Sequence, residues 1–188
     1  MSFAEPRTRR EAARCGALAA AAVAAPILVR AGPARAKEDE AKADEALRGL
    51  ITRERAAVVA YEALAAADYL DSPTATLVRT LRDHEQEHVD VLIAALDERG
   101  AQPPDPPTRE DVEGLAAVSS QGEALDFARR LEEGLVGAHV EAVELFEGAS
   151  LLQTVGEILG SEGQHLVILR ERAGDEPLPR PFERGRGG

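Results

Sequence analysis

The sequence of 188 residues contains one cysteine, one methionine and no tryptophan. With Cys15 as its only cysteine, the chain forms no internal disulfide and offers no set of thiolates to a metal. Because Met1 is its only methionine, the sequence does not favour a haem bound between two subunits by methionines. Basic residues are also few, since 22 Lys and Arg stand against 34 Asp and Glu, a formal net charge of −12. This balance predicts a surface that repels nucleic acid and anionic membranes.

The N-terminal part lacks an apolar run long enough to cross a membrane. The uncharged stretch Cys15–Val29 is shorter than the about 20 residues of a membrane-spanning helix, and it has the length of the apolar region of a signal peptide. Arg9-Arg10 precedes it and Ala34-Arg35-Ala36, a small-x-small cleavage site, follows. The arrangement resembles a twin-arginine export signal. We expect residues 1–36 to be removed during export by the twin-arginine translocase, which leaves an extracytoplasmic protein; an uncleaved N-terminal anchor is the alternative.

The mature chain predicted in this way has the size of one domain. Loss of six arginines and two glutamates leaves 152 residues with 16 basic and 32 acidic side chains, a net charge of −16. Cys15 leaves with the signal, so a metal would have to be held by carboxylate and imidazole. That combination of ligands suits iron, manganese or zinc.

The mature sequence predicts an all-α protein, because no stretch shows sustained alternation of apolar and polar residues. Apolar residues recur at helical spacing instead; in the second helix Leu81, Val91, Leu92 and Leu96 are expected to face inward. Residues 37–173 form the predicted bundle, and residues 174–188, rich in proline, arginine and glycine, are expected to be a disordered tail. The four predicted helices are Glu38–Tyr69, Thr74–Arg99, Gln121–Phe146 and Leu151–Arg172.

The lengths of the connections predict the topology. The first and third connections are short, so helices one and two, and helices three and four, should form antiparallel hairpins. The segment Gly100–Ser120 contains four prolines between residues 103 and 107, and fully extended it could span roughly 70 Å. It can therefore recross the bundle, which predicts a four-helix bundle of two hairpins joined by one long crossover.

Two copies of the motif Glu-x-x-His are the candidate metal-binding residues of the sequence. Glu85 and His88 lie on the second helix, and Glu162 and His165 lie on the fourth. Residues three apart on an α-helix lie on one face, so both side chains of each pair can reach one ion. Glu54 and Glu132 lie on the apolar stripes of the partner helices, where an unpaired carboxylate is unfavourable.

The positions of these residues along the helices match. Glu54 and Glu132 each lie about 17 residues before the centre of their hairpin loop, and the Glu-x-x-His pairs lie about 13–16 residues after it, so all six fall at one level. Tyr61 follows Glu54 by seven residues, and His139 follows Glu132 by seven. The two hairpins thus look like two versions of one unit.

This ligand set resembles that of the ferritin-like superfamily, and more narrowly that of its exported bacterial ferritin-like domain proteins. The resemblance implies two metal ions, with iron favoured and manganese as the alternative. It implies that Glu85 and Glu162 bridge the ions, that Glu54 and Glu132 are terminal ligands, and that His88 and His165 each bind one ion. Tyr61 resembles a ferritin tyrosine close to the metals, and no catalytic residue separate from the metal site is expected.

Several alternatives stay open at this point. Glu54 could pair with an arginine on a solvated face, and Glu133 or Glu141 could replace Glu132. His84 is interpreted as a neighbour of the site or a surface residue, and His139 as a residue that could touch the site.

For the function, the first hypothesis is a ferroxidase or other oxidase acting on oxygen or peroxide at a dinuclear centre. A manganese-catalase-like peroxide scavenger is the second, and a structural or stress-protective metal-binding bundle is the third. A homo-oligomer is compatible with each.

Overall fold

The computed structural model describes residues 33–185 of the chain, and the side chains from residue 37 onward. This part of the chain contains four α-helices and no strand, which confirms the predicted all-α four-helix class. The predicted signal peptide lies outside the described residues except for its last four, which belong to the first helix. The helices are α1 (Pro33–Ala65), α2 (Ser72–Glu98), α3 (Gln121–Val143) and α4 (Ala149–Ala173).

The helix ends follow local chemistry. Asp71 caps α2 by accepting a hydrogen bond from the Thr74 amide at 2.8 Å, which satisfies one of the free N–H groups of the first turn. Helix α2 is followed by Gly100 with φ +73°, a left-handed conformation that glycine adopts without strain. Helix α1 ends at Ala65, four residues before the predicted end, because the chain tightens there into a turn in which the Ala67 amide donates to Leu64.

The helices pair as the connections predict. Helix α1 packs against α2 and α3, while α4 packs against α3 and α2, so the two hairpins lie side by side. The crossover, residues 99–120, contains two short 3₁₀ turns, Arg109–Asp111 and Leu115–Ala117. Val112 and Leu115 are buried, so this segment forms part of the core. The predicted arrangement of two antiparallel hairpins and one long crossover is confirmed.

The interior consists of two apolar clusters, each built from all four helices or the segments next to them. They lie on either side of the level of the Glu-x-x-His residues, so a polar layer crosses the bundle between them. The cluster at the end of the bundle that contains the α1–α2 loop includes Leu64, Val78, Leu81, Phe127 and Leu169. The other includes Leu47, Ile51, Leu92, Leu96 and Ile158.

One predicted inward position is wrong. Val91 is 44% exposed, whereas its neighbour Leu92 is fully buried. Successive helical residues are rotated by about 100°, so a residue next to the centre of the buried stripe faces away from the core. The buried residues of α2 include Leu81, Glu85, His88, Leu92 and Leu96.

After α4 the chain continues without helix or strand through Gly185. Glu183 from this segment forms an ion pair with Arg170 of α4 at 2.8 Å. None of the described helices has both the length and the apolar character that a membrane span requires.

Candidate metal centre

Six side chains predicted as ligands meet in the polar layer at the middle of the bundle. The four glutamates are fully buried, His165 is 2% exposed and His88 is 9% exposed. They are Glu54 from α1, Glu85 and His88 from α2, Glu132 from α3, and Glu162 and His165 from α4. All four helices therefore contribute to one site.

The first half of this site is centred on His88. Its Nδ1 atom lies 3.0 Å from Glu162 Oε1, 3.2 Å from Glu85 Oε2 and 3.6 Å from Glu54 Oε2. These four residues offer ligand atoms that all lie within 4.8 Å of one another. Helices α1, α2 and α4 build this half.

The second half is centred on His165. Its Nδ1 atom lies 3.1 Å from Glu85 Oε1, 3.3 Å from Glu132 Oε2 and 3.4 Å from Glu162 Oε2. These residues form a second group whose ligand atoms lie within the same 4.8 Å of one another. Helices α2, α3 and α4 build it.

Glu85 and Glu162 belong to both halves. Each presents one carboxylate oxygen to His88 and the other oxygen to His165. Glu54 and Glu132 each face only one of these two imidazoles. Two carboxylates are therefore shared between the halves, and one further carboxylate and one imidazole are specific to each half.

Tyr61 and His139 flank the two unshared carboxylates. The Tyr61 hydroxyl of α1 donates a hydrogen bond to Glu132 Oε1 of α3. On the opposite side, His139 Nε2 of α3 lies 3.3 Å from Glu54 Oε1 of α1. Glu132 thus faces Tyr61, which follows Glu54 by seven residues, and Glu54 faces His139, which follows Glu132 by seven residues. The two hairpins are therefore related by an approximate two-fold axis.

Burial and proximity shift the pKa values of the carboxyl groups in two directions. Burial raises the pKa of Glu54 and Glu132 well above the usual carboxyl range. Burial alone would also raise the pKa values of Glu85 and Glu162. Hydrogen bonds to the two imidazoles, joined in Glu162 by a hydrogen bond from Glu132, outweigh this effect, so both pKa values are lowered. The shared carboxylates are therefore ionised, and the unshared ones retain protons more readily.

The imidazoles respond to these carboxylates. Burial alone would lower the pKa of His88 and His165, but hydrogen bonds to the site glutamates raise both to about 12. Burial lowers the pKa of His139. Burial, followed by the charge of Glu132, raises the pKa of Tyr61 well above its usual value, which keeps its hydroxyl protonated as a donor.

The structure distinguishes the third-helix glutamates that the sequence left open. Glu132 is fully buried and faces the site, with its Oε2 3.3 Å from His165. Glu133 is also buried, at 4% exposure, but its Oε1 lies 3.2 Å from Arg129 and 3.9 Å from Arg170. Glu141 lies on the exposed surface of α3. Of the three, only Glu132 takes part in the six-residue cluster.

His84 contacts the site without facing its carboxylates. Its Nδ1 lies 3.0 Å from His165 Nε2, the ring nitrogen that points away from the glutamates, and the two rings stack with centroids 5.2 Å apart. Ser161 Oγ lies 3.3 Å from the same nitrogen. These two residues orient the His165 ring, and the sequence analysis had not identified Ser161. Its spacing of four residues before His165 on one helix was the available signal.

Comparison with known proteins agrees with the four-helix fold. Residues 32–175 match the family model of the ferritin-like domain. A conserved hypothetical protein, rv2844, from Mycobacterium tuberculosis has a similar fold with a TM-score of 0.64 and 20% sequence identity, over 70% of this chain and 97% of that one. At this identity the likeness concerns the fold alone. No protein of curated function matches the chain.

Proposed function

Since this chain belongs to the ferritin-like domain family, we propose that it binds two transition-metal ions and acts as a ferroxidase or related oxidase. Iron is the preferred metal, and manganese is the alternative. One observation supports this most directly. Glu85 and Glu162 each direct one oxygen toward each of the two imidazoles, as carboxylates that bridge two ions must. Such a site supplies electron transfer between a reduced substrate and oxygen or peroxide when the metals are bound.

The residues present fit a pair of divalent ions. The oxygens of Glu54 and Glu162 and Oε1 of Glu85 are buried, and their close neighbours are the imidazoles and carboxyl groups of the site itself. Four buried carboxyl groups so close together are unfavourable unless their charge is compensated, and two divalent cations would compensate it. Four carboxylates and two neutral imidazoles would balance the charge of two divalent ions. This balance would offset the free-energy cost of burying the charged groups.

The side chains have distinct tasks in this proposal. Glu54 and Glu132 are terminal ligands, and His88 and His165 bind through the Nδ1 atoms that face the carboxylates. Tyr61 holds Glu132 by hydrogen bonding to Oε1, which leaves Oε2 directed to the site. The two apolar clusters exclude water from both sides of the layer, and this strengthens electrostatic interactions inside it.

Manganese-catalase-like breakdown of peroxide is the second candidate. The site combines four carboxylates with two imidazoles, and carboxylate-rich sites suit manganese as well as iron. The identity of the bound metal therefore separates the two activities.

The test combines metal content with activity. The purified protein is analysed for bound iron and manganese, and oxygen uptake with ferrous iron and peroxide breakdown with manganese are measured. We expect two ions per chain and one of the two activities. Two ions without turnover would leave a structural metal-binding protein and contradict the enzyme proposal, and no bound metal after anaerobic loading would contradict the site.

Paired variants make this test specific to the site. Glu85→Ala with Glu162→Ala removes both shared carboxylates and should abolish binding of the ion pair. The matched control, Glu87→Ala with Glu171→Ala, removes two exposed glutamates from the same helices and should leave metal binding unchanged. The metal-free fold of the site variant should persist, because it loses two buried acidic groups and none of the leucine and valine core.

A further inference from the structure

The segment that follows α4 returns to the bundle and lies against α3 and α4. Its Glu183 pairs with Arg170 of α4 at 2.8 Å, and Arg170 is only 5% exposed although it carries a charge. A second carboxylate, Glu133 Oε1 of α3, lies 3.9 Å from the same guanidinium. A buried charge is unfavourable unless it is paired. The segment therefore supplies the closer of these two carboxylates to a cation of the bundle.

Gly185 brings the backbone of this segment directly against the backbone of α3. Its φ angle is +64°, in the left-handed region that glycine adopts without strain. A Cβ atom at Gly185 would overlap the backbone oxygen of Glu133 and the backbone nitrogen of Gly137. Conformation and space thus both require glycine at position 185, and Gly137 adds no side chain between the two backbones.

The contact lies at the height of the polar layer. On α3 this layer extends from Glu132 to His139, which are about 10 Å apart along the helix axis, and Gly137 lies between them. Gly137 is buried but has no side chain of its own that could cover the layer from outside. We propose that residues 175–185, the C-terminal strap, close the outer side of the polar layer along α3 when they are docked and open it when they are released.

The strap can be released without unfolding the bundle, because it contributes no large apolar side chain to the core. Leu178 is 71% exposed and Phe182 is 69% exposed. Docking therefore depends on the ion pair of Glu183 and on the backbone contact of Gly185 rather than on buried apolar surface. The Glu183 side chain is 20% exposed, and salt screens ion pairs within reach of solvent. Ionic strength should therefore shift the strap toward the released state.

The experiment uses NMR on the metal-free full-length protein, so its outcome does not depend on the proposed metal pair. A nuclear Overhauser contact between Gly185 and Gly137 is expected. In Gly185→Ala the docked-to-released ratio should fall by about 5–30-fold, from the strain of a left-handed alanine alone. Amide exchange of α3 residues 134–139 should become faster by about the same factor, because these amides exchange when the strap is released. Leu178→Ala, the exposed control within the strap, should keep the contact and the exchange rates.

A second variant tests the ion pair. Glu183→Gln should also accelerate α3 exchange, and added sodium chloride should accelerate it in the unmodified protein but much less in this variant. Absence of the Gly185–Gly137 contact in the unmodified protein, the result for a mobile tail, would overturn the proposal. Unchanged α3 exchange in Gly185→Ala would overturn it as well, since the strap would then cover nothing. Equal acceleration at Ala57, buried on α1, would also overturn it, because the variant would then have weakened the whole fold.

Discussion

Loading the metal-free protein with two divalent ions should release at least two protons per ion pair near neutral pH. The number follows from the pKa values of the two imidazoles. His88 and His165 have pKa values of about 12 and are protonated at pH 7, so each must lose one proton before it can bind metal. Burial raises the pKa of Glu54 and Glu132, so these carboxyl groups hold protons more readily than usual, and any proton they hold adds to the release.

The charge of the cluster points in the same direction. In the metal-free protein, the two imidazolium cations compensate the ionised Glu85 and Glu162. In the loaded protein, two divalent cations would balance four ionised carboxylates, and compensation of charge is what burial demands. Because protons compete with metal, the logarithm of the overall binding constant should rise by about two or more per pH unit.

The assay is isothermal titration calorimetry with manganese in buffers that differ in ionisation enthalpy. The slope of the observed enthalpy against the buffer enthalpy gives the number of protons released. Release of fewer than about two protons by the unmodified protein would mean that the cluster is already deprotonated without metal, and would refute this reasoning.

Four further outcomes are expected. The raised pKa values of the site imidazoles stabilise the fold below about pH 6.5, and this contribution is lost as the pH rises toward 12. The thermal midpoint of the metal-free protein should therefore decrease as the pH is raised from 6 to 9, and an increase would contradict this prediction. Glu132→Gln should lose metal and Glu133→Gln should retain it, measured by metal content after loading; the opposite pattern would reverse the assignment. Leu92→Ala should lower the free energy of unfolding by about 2–5 kcal/mol in urea titrations, whereas Val91→Ala, its exposed neighbour, should change it by less than about 0.5 kcal/mol. N-terminal sequencing of the exported protein should begin at Lys37, and a start at Met1 would reject cleavage.

The fold was predictable from the sequence because its signals are repeated and local. Apolar spacing and the lengths of three connections were sufficient for the class and the topology. Helix ends were less certain, since α1 stops at Ala65 and α3 at Val143, although Phe146 still packs into the core at 5% exposure. Local propensity does not record where a chain tightens into a turn under tertiary packing.

The cluster was predictable to the extent that helical geometry determines it. Glu-x-x-His places two side chains on one face of a helix. The two motifs lie at the same distance from their hairpin loops, which brings them together at the middle of the bundle. Spacing could not choose between Glu132 and Glu133, because both are buried and only the arginines near Glu133 distinguish them. Spacing also could not show that His139 contacts Glu54, because that contact depends on the distance between α1 and α3 rather than on any pattern within one helix.

The matching of the two hairpins has a consequence for how such a site can diversify. Two identical hairpins assembled as a symmetric dimer would have to treat both ions alike, because two-fold symmetry makes their surroundings equivalent. Covalent connection through the crossover, residues 99–120, releases the two copies from that constraint. Glu54 then faces His139 while Glu132 faces Tyr61, so the two halves of the cluster differ chemically. The two ions of the proposed function would therefore have different surroundings.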